Sequence, residues 1–291
     1  MYIVQSKHSS MNDSTMQSDK RQALLELARR RTETKYKYYV PNGRGEEFLA
    51  VVGAGRHLIT LYSAANGVGK TCCAVNALAQ VIWPDGRQFP SAKYFRGPIF
   101  ENFPYTKKIR IISDPKVVDS IVSEMKTWFP KGRYVTTKGR KSYDAYWKTD
   151  TGFDIDIMTY DQDPKEFEAA TLGMIWFDEP PPKSIYKASI ARLRRGGLIF
   201  ITATPLAGSE WMYDEILANP NNEQGLRTFV EATMEDACRQ HGIRGHLEHE
   251  HIQQIISQYD EDEKQARVYG KFQHLTGLIF KQFYPNIHVI P

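Results

Sequence analysis

Ser63-Ala-Ala-Asn-Gly-Val-Gly-Lys-Thr71 continues the apolar run His57-Leu-Ile-Thr-Leu-Tyr-Ser63 and opens a helix-patterned segment from Lys70 to Trp83. A buried strand leading into a glycine-rich turn and then a helix is the context in which backbone amides gather around phosphate. Gly67 and Gly69 permit the curled backbone that turns successive N–H groups inward. The helix start adds its positive end. Lys70 suits β- and γ-phosphates, and the Thr71 hydroxyl suits Mg2+. Ala64 stands where a first glycine is usual, so the motif is a relaxed one. The candidate ATP site is the run Ala64, Ala65, Asn66, Gly67, Val68, Gly69, Lys70, Thr71 and Cys72.

Two further apolar runs end in chemistry-bearing residues. Met174-Ile-Trp-Phe-Asp178-Glu179 is a strand pattern closed by two carboxylates. An Asp at such a strand end serves Mg2+, and the Glu beside it can polarise an attacking water as general base. Leu198-Ile-Phe-Ile-Thr-Ala-Thr204 ends in hydroxyls, which suit a γ-phosphate, its water or a neighbouring carboxylate. Each motif alone is common at strand exits; the three in this order make a joint signal.

Outward from these motifs the chain alternates strand-like and helix-like segments. Residues 108–113 read as a strand and 116–129 as a helix. Residues 143–149 and 153–160, joined by Asp150-Thr-Gly152, alternate with period two as an antiparallel hairpin. Residues 210–218 and 247–259 read as helical. The expected fold is α/β, a P-loop NTPase (RecA/ASCE-like) with a mostly parallel sheet, helices on both faces and an antiparallel hairpin addition. Ser18 is the expected N-cap of an amphipathic helix bearing Leu24, Leu25, Leu27 and Ala28, after a disordered residue 1–17 segment. Three units follow: an arm (1–34), the ATPase domain (35–270) and a tail (271–291).

Apolar residues at 41% and charged residues at 25% fit a globular domain. No run is long enough for a membrane span, and the first residues lack an apolar signal core. No membrane association and residence in the cytoplasm are expected. Three cysteines exclude a disulfide framework. Charge is unevenly spread: residues 93–148 hold thirteen Lys or Arg against five acids, and residues 209–263 hold thirteen acids against three Arg. Such a split hints at a polyanion on one face.

The series SAANGVGKT, MIWFDEPPP, LIFITATPLAGSEWMYDEI and ARVYGKFQHLTGLIFKQF resembles the large terminase subunit of tailed phages over about residues 35–280. The resemblance implies an ATP-hydrolysing motor that drives double-stranded DNA into a procapsid. It implies ATP and Mg2+ as cofactors, with Lys70 and Thr71 on ATP and metal, Asp178 on Mg2+, Glu179 in catalysis and Thr202-Ala203-Thr204 in coupling. The implied partners are double-stranded DNA, a portal protein and a small terminase subunit. The implied assembly is a homo-oligomeric ring, or a monomer in isolation, in the cytoplasm of an infected host. The family's nuclease would begin near GLIFKQF, so no nuclease activity is expected of this sequence. A superfamily 2-like helicase or translocase and an ATP-dependent DNA-binding switch are the alternatives. Glu179 argues against a bare switch, and fewer than 90 residues follow Pro205, too few for a second motor domain.

Some relatives carry an arginine inside the phosphate loop, where this chain has Asn66 and Gly67. The charge-stabilising arginine is therefore sought in Arg192, Arg194 and Arg195, with Arg194 as the catalytic candidate, in cis or from a neighbouring subunit. Tyr38, Tyr39 and Pro41 are candidates to stack on adenine, against a packing role. Lys131, Arg133, Lys138, Arg140 and Lys141, with Tyr134 and Tyr143, form a basic region suited to DNA phosphates. Cys238, His241, His246, His249 and His251 invite a zinc reading, but they lack a C-x2-C pair, and His249 and His251 diverge on a helix. A polar helix start is the preferred reading there.

Overall fold

The apolar runs bounded by turn residues become strands of one sheet in the computed structural model, which describes residues 9–84, 89–139, 142–206, 209–218 and 225–272. They are β1 (Ile59–Ala64), β2 (Lys108–Ser113), β3 (Tyr134–Lys138), β4 (Asp144–Thr149), β5 (Asp154–Thr159), β6 (Met174–Asp178), β7 (Leu198–Ala203) and β8 (Arg227–Ala232). Their order is β3-β4-β5-β2-β6-β7-β1-β8. The six strands from β5 to β8 are parallel, and β4 runs antiparallel between β3 and β5. The expected hairpin is the β4–β5 pair, and β3 extends it to the sheet edge.

Strand order positions the site. β7 lies between β1 and β6, with Ala203 beside Ser63 and Thr202 beside Asp178. Because all three strands run the same way, their C-terminal tips share one edge, as ligand sites in open α/β sheets require.

The central strands are apolar on both faces because helices cover both. Met174 and Trp176 of β6 and Leu198 and Phe200 of β7 enter one core cluster. Ile175, Phe177, Ile199 and Ile201 enter the other. Helices α2 (Gly43–Ala54), α3 (Lys70–Ile82) and α4 (Val118–Trp128) contribute to the first face, and α5 (Lys183–Ile190) and α6 (Glu210–Met212) to the second. α6 continues as a π-helical turn over Tyr213–Leu217. α3 is the central helix: Ala74, Ala77 and Leu78 are buried, and so are its polar Asn76 and Gln80. α7 (His249–Ile256) and α8 (Glu261–Arg267) close the described chain. No helix among the described residues is long and apolar enough to cross a membrane.

Three expectations change. The N-terminal helix α1 spans Ser9–Glu33, so Ser18 lies inside it and residues 9–17 are helical. Its Leu24 and Leu25 are 59% and 61% exposed; the spacing marks a face that no other described element of the chain covers. Arg110, counted with the basic segment, is buried and pairs across strands with Asp156. Its Nε and Nη2 donate to the carboxylate at 2.9 and 2.8 Å. A charge removed from water is kept only by such pairing, so Arg110 is not available to a polyanion. β8, α2, α5 and α8 have no counterpart among the sequence expectations.

Candidate active site

The turn between β1 and α3 curls as its glycines allow: φ is 75° at Gly67 and 89° at Gly69, the N-cap of α3. Neighbouring segments hold the loop. Ala65 N donates to Ala232 O at 2.8 Å and Asn66 N to Arg267 O at 3.0 Å. Asn42, the N-cap of α2, accepts from Gly45 N and donates through Nδ2 to Val68 O at 2.9 Å. His246 Nε2 lies 3.0 Å from Gly67 O.

Lys70 is buried, and its Nζ donates to Ala64 O and Ala65 O at 3.0 Å each and to Thr204 Oγ1 at 2.8 Å. Burial holds its pKa below the ordinary lysine value, partly offset by Glu179 and Asp178. Thr204 closes a junction. Its hydroxyl also donates to Asn66 Oδ1 at 3.2 Å, and its N–H donates to Glu179 Oε2 at 2.9 Å. One residue at the tip of β7 thus touches the phosphate loop and the acidic strand end.

A second chain of bonds orders Asp178. Trp176 Nε1 donates to Thr202 Oγ1 at 2.8 Å, and that hydroxyl donates to Asp178 Oδ1 at 2.8 Å. Thr71 Oγ1 lies 3.5 Å from the same oxygen. Burial, then the Glu179 charge, push the Asp178 carboxyl up to about 7. A threonine hydroxyl beside a carboxylate is a hard oxygen donor set of the kind Mg2+ accepts, so these residues fit that ion.

Glu179 has φ 66°. A non-glycine residue in the left-handed region costs of order 1–3 kcal/mol, and such strain concentrates at functional sites. Two bonds hold the conformation: Glu179 N donates to Thr202 O at 2.7 Å, and Tyr160 Oη donates to Glu179 O at 2.8 Å and reaches Asp178 O at 3.1 Å. Burial, then the charges of Asp178, Glu179 and Asp114, keep the Tyr160 phenol well above its ordinary pKa, hence a donor. Sequence reasoning missed Tyr160, because it lies beyond β5 and reaches the tip of β6 only through the order β5-β2-β6. Tyr160→Phe leaves two carbonyls without this donor. A loss of about 1–3 kcal/mol of stability is expected, read from urea unfolding midpoints.

Other sequence candidates fall elsewhere. The Arg192–Arg195 turn precedes β7 and opens at the opposite edge of the sheet from Thr204. Six residues at about 3.3 Å each put about 20 Å between them, so Arg194 cannot serve this chain's own loop. Arg194 and Arg195 are exposed there, while Arg192 Nη1 donates to Glu168 O. The Cys72 thiol sits beside Tyr39, where burial pushes it up to about 12, so only its backbone faces the loop. Tyr39 is a core residue: it is 8% exposed, edge-on to Trp128 at 5.2 Å. Tyr38 packs edge-on against Phe89, and Pro41 is buried with its carbonyl accepting from Arg244 Nε. No base-stacking face is left on Tyr39. From the same turn it is Asn42 that reaches the phosphate loop.

In the basic region, Lys131 and Lys138 are exposed at the edge strand, while Arg133 Nε pairs with Asp150 at 2.7 Å and Tyr134 packs on Trp147. Arg140 and Lys141 lie outside the described residues, as do residues 273–291, most of the expected tail. Of the zinc set, Cys238, His241 and His249 converge with Glu235.

Residues 61–284 match the family model described as terminase large subunit, T4likevirus-type, N-terminal. The terminase large subunit of Salmonella phage P22 is 33% identical over 123 residues, 42% of this chain and 23% of that protein. The large terminase of a thermophilic bacteriophage, solved in complex with ADP, has a TM-score of 0.58 at 16% identity, covering 87% of this chain and 58% of its own. The HK97 bacteriophage large terminase gives 0.55 at 10% identity, covering 80% and 51%. The Thermus phage P74-26 large terminase ATPase domain gives 0.51 at 12% identity, covering 78% and 93%. The chain spans little more than half the length of the ADP-bound and HK97 proteins. With the sequence match over most of its length and a P-loop sheet carrying the loop, the acidic tip and the hydroxyl tip side by side, the chain belongs to the T4likevirus-type N-terminal family of phage terminase large subunits.

Proposed function

We propose that this chain is the ATP-hydrolysing motor domain of a phage packaging enzyme that translocates double-stranded DNA into a procapsid. The observation that carries the reading is the Thr204 junction, where Lys70, Asn66 and Glu179 meet one residue at the tip of β7. A change in what Lys70 and Asn66 bind is transmitted by two short bonds to the acidic tip, which is what coupling hydrolysis to motion requires.

In this reading the amides of Gly67–Cys72 and the Lys70 ammonium bind the phosphates of ATP, while Ala65 and Asn66 anchor the loop to its neighbours. Thr71 and Asp178 hold Mg2+, which when bound neutralises charge on the β- and γ-phosphate oxygens. Glu179 orients and deprotonates the attacking water. Asn66 and Gly67 supply no arginine, and the exposed Arg194 and Arg195 lie at the far edge of the sheet, so in this reading that charge comes from another arginine of this chain or from a neighbouring copy in a ring. Lys131, in the turn before β3, and Lys138, at the end of β3, are exposed and are the cations of the basic region suited to DNA phosphates in this reading. A portal protein and a small terminase subunit are the partners the family membership suggests.

The test is steady-state hydrolysis by the purified chain. ATP turnover is expected to require Mg2+, to stop on chelation, and to rise on addition of double-stranded DNA at low salt. Mg2+-independent turnover, or none at any chain concentration including those that favour a ring, rejects the assignment.

A further inference from the structure

Glu235, Cys238, His241 and His249 each bring one ligand atom within 4.8 Å of the others, from a loop after β8 and the first turn of α7. Cys238 Sγ lies 3.8 Å from His249 Nδ1, His241 Nδ1 lies 2.6 Å from Glu235 Oε2, and the two imidazoles meet edge-on at 4.7 Å between centroids. Ligands at about 2.0–2.3 Å from a tetrahedral ion stand about 3.3–3.7 Å from one another. The four atoms are thus within a few tenths of an ångström to about 1.5 Å of closure. The spacing is Glu235-x2-Cys238-x2-His241-x7-His249. Divergence of His249 and His251 along α7 is no obstacle, because His251 takes no part and three of the four ligands come from the loop. An ordinary His241–Glu235 ion pair accounts for two members of the cluster. It does not account for a buried thiol and a second imidazole arriving at the same point.

The loop itself is built to close on Cys238. Cys238 O accepts from Gly242 N at 2.8 Å, and Ala237 O accepts from both His246 N and Leu247 N. A Cβ at Gly245 would fall 1.9 Å from Cys238 O, and one at Gly242 would fall 2.2 Å from Asp236 O. Between Cys238 and His249 the aliphatic side chains larger than a methyl are Ile243, 67% exposed, and the partly buried Leu247. A tight polar loop with this little core of its own is the kind that a metal staples.

We propose that these four residues bind one zinc-class divalent cation in a structural site. On binding, the Cys238 thiol gives its proton to solvent and the sulfur becomes a thiolate ligand. The soft sulfur and two imidazoles select this class over Mg2+. The site braces the phosphate loop, because the same knuckle carries His246, which reaches Gly67 O, and Ile243, whose carbonyl accepts from Gly43 N beside Asn42.

Full chain stripped by chelator and shown folded by circular dichroism is titrated with cobalt(II). One equivalent is expected to produce a near-ultraviolet thiolate-to-cobalt band and the visible bands of a four-coordinate ion. Any cobalt at Thr71 and Asp178 gives no thiolate band, which separates the two sites. Cys238→Ser is expected to remove the band, His249→Ala to weaken binding by at least about 100-fold, and His251→Ala to leave both unchanged. Zinc is expected to displace the cobalt and to raise the melting temperature of the stripped chain. A folded wild-type chain that gives no thiolate band, or a band that survives in Cys238→Ser, overturns the proposal. If Cys238→Ser does not fold, the His249→Ala and wild-type titrations decide it in the same way.

Discussion

Glu179→Gln is expected to slow ATP hydrolysis by about 10²–10⁴-fold, the range spanned by loss of a positioned general base, while nucleotide affinity stays within a few-fold of wild type. The substitution is informative because glutamine keeps what Glu179 does for the fold. Its amide oxygen can still accept from Thr204 N, and its backbone N–H still donates to Thr202 O. The left-handed backbone, φ 66°, is no harder for glutamine than for glutamate. The Thr204 junction and the phosphate loop therefore persist, and only the capacity to take a proton is lost. Steady-state turnover beside equilibrium binding of a fluorescent nucleotide separates the two effects. Loss of rate with binding retained reports an interaction made only in the transition state. Turnover within about three-fold of wild type would remove Glu179 from the chemistry and return it to a purely structural role.

What can be read from the sequence, and what cannot, follows from how local each signal is. The phosphate loop, the Asp178-Glu179 tip and the Thr202–Thr204 tip are legible because strand, turn and functional residue lie within about ten residues of each other. The fold class is legible for the same reason: apolar runs alternate with helical periodicity. Residues whose role depends on sheet order are not. Tyr160 reaches the acidic tip across β2, and Asn42 reaches Val68 because α2 packs beside α3. α2 itself is hidden by Gly43, Gly45 and Gly53, which weaken its helical signal; the Asn42 cap and the burial of Phe48, Leu49 and Val52 outweigh that. β8 is an edge strand with only Val230 and Ala232 buried, so it lacks the continuous apolar run of its neighbours. The Arg192–Arg195 turn misleads through direction. Its nearness in sequence to β7 suggests nearness to the site, whereas a parallel strand carries its two ends to opposite edges.

Asp178→Asn is expected to pull stability and activity in opposite directions. The Asp178 carboxyl is pushed up to about 7 from an ordinary 3.8, first by burial and then by the adjacent Glu179 charge. A folded-state pKa above the unfolded value means that the folded chain holds the proton more tightly. Wild-type stability without nucleotide or Mg2+ therefore falls as pH rises from about 4 to about 7, and the full penalty persists above 7. Asparagine carries no charge and still accepts from Thr202 Oγ1 through Oδ1, so the penalty vanishes while the bond chain from Trp176 survives. The variant should gain of order 2–4 kcal/mol at pH 8, about 5–10 °C in melting temperature, and little at pH 4. Mg2+-dependent hydrolysis should fall at least about 100-fold, because a neutral amide is a poor ligand for a hard divalent cation. Melting curves at the two pH values, paired with turnover, decide the matter. An equal gain at both pH values, or no gain at pH 8, would show that burial of this charge is not what the site endures. The pairing matters more than either half. A carboxylate kept only for packing would have no reason to sit where its charge costs stability, and one kept for a cation has that reason, because a bound divalent ion reverses the local electrostatics.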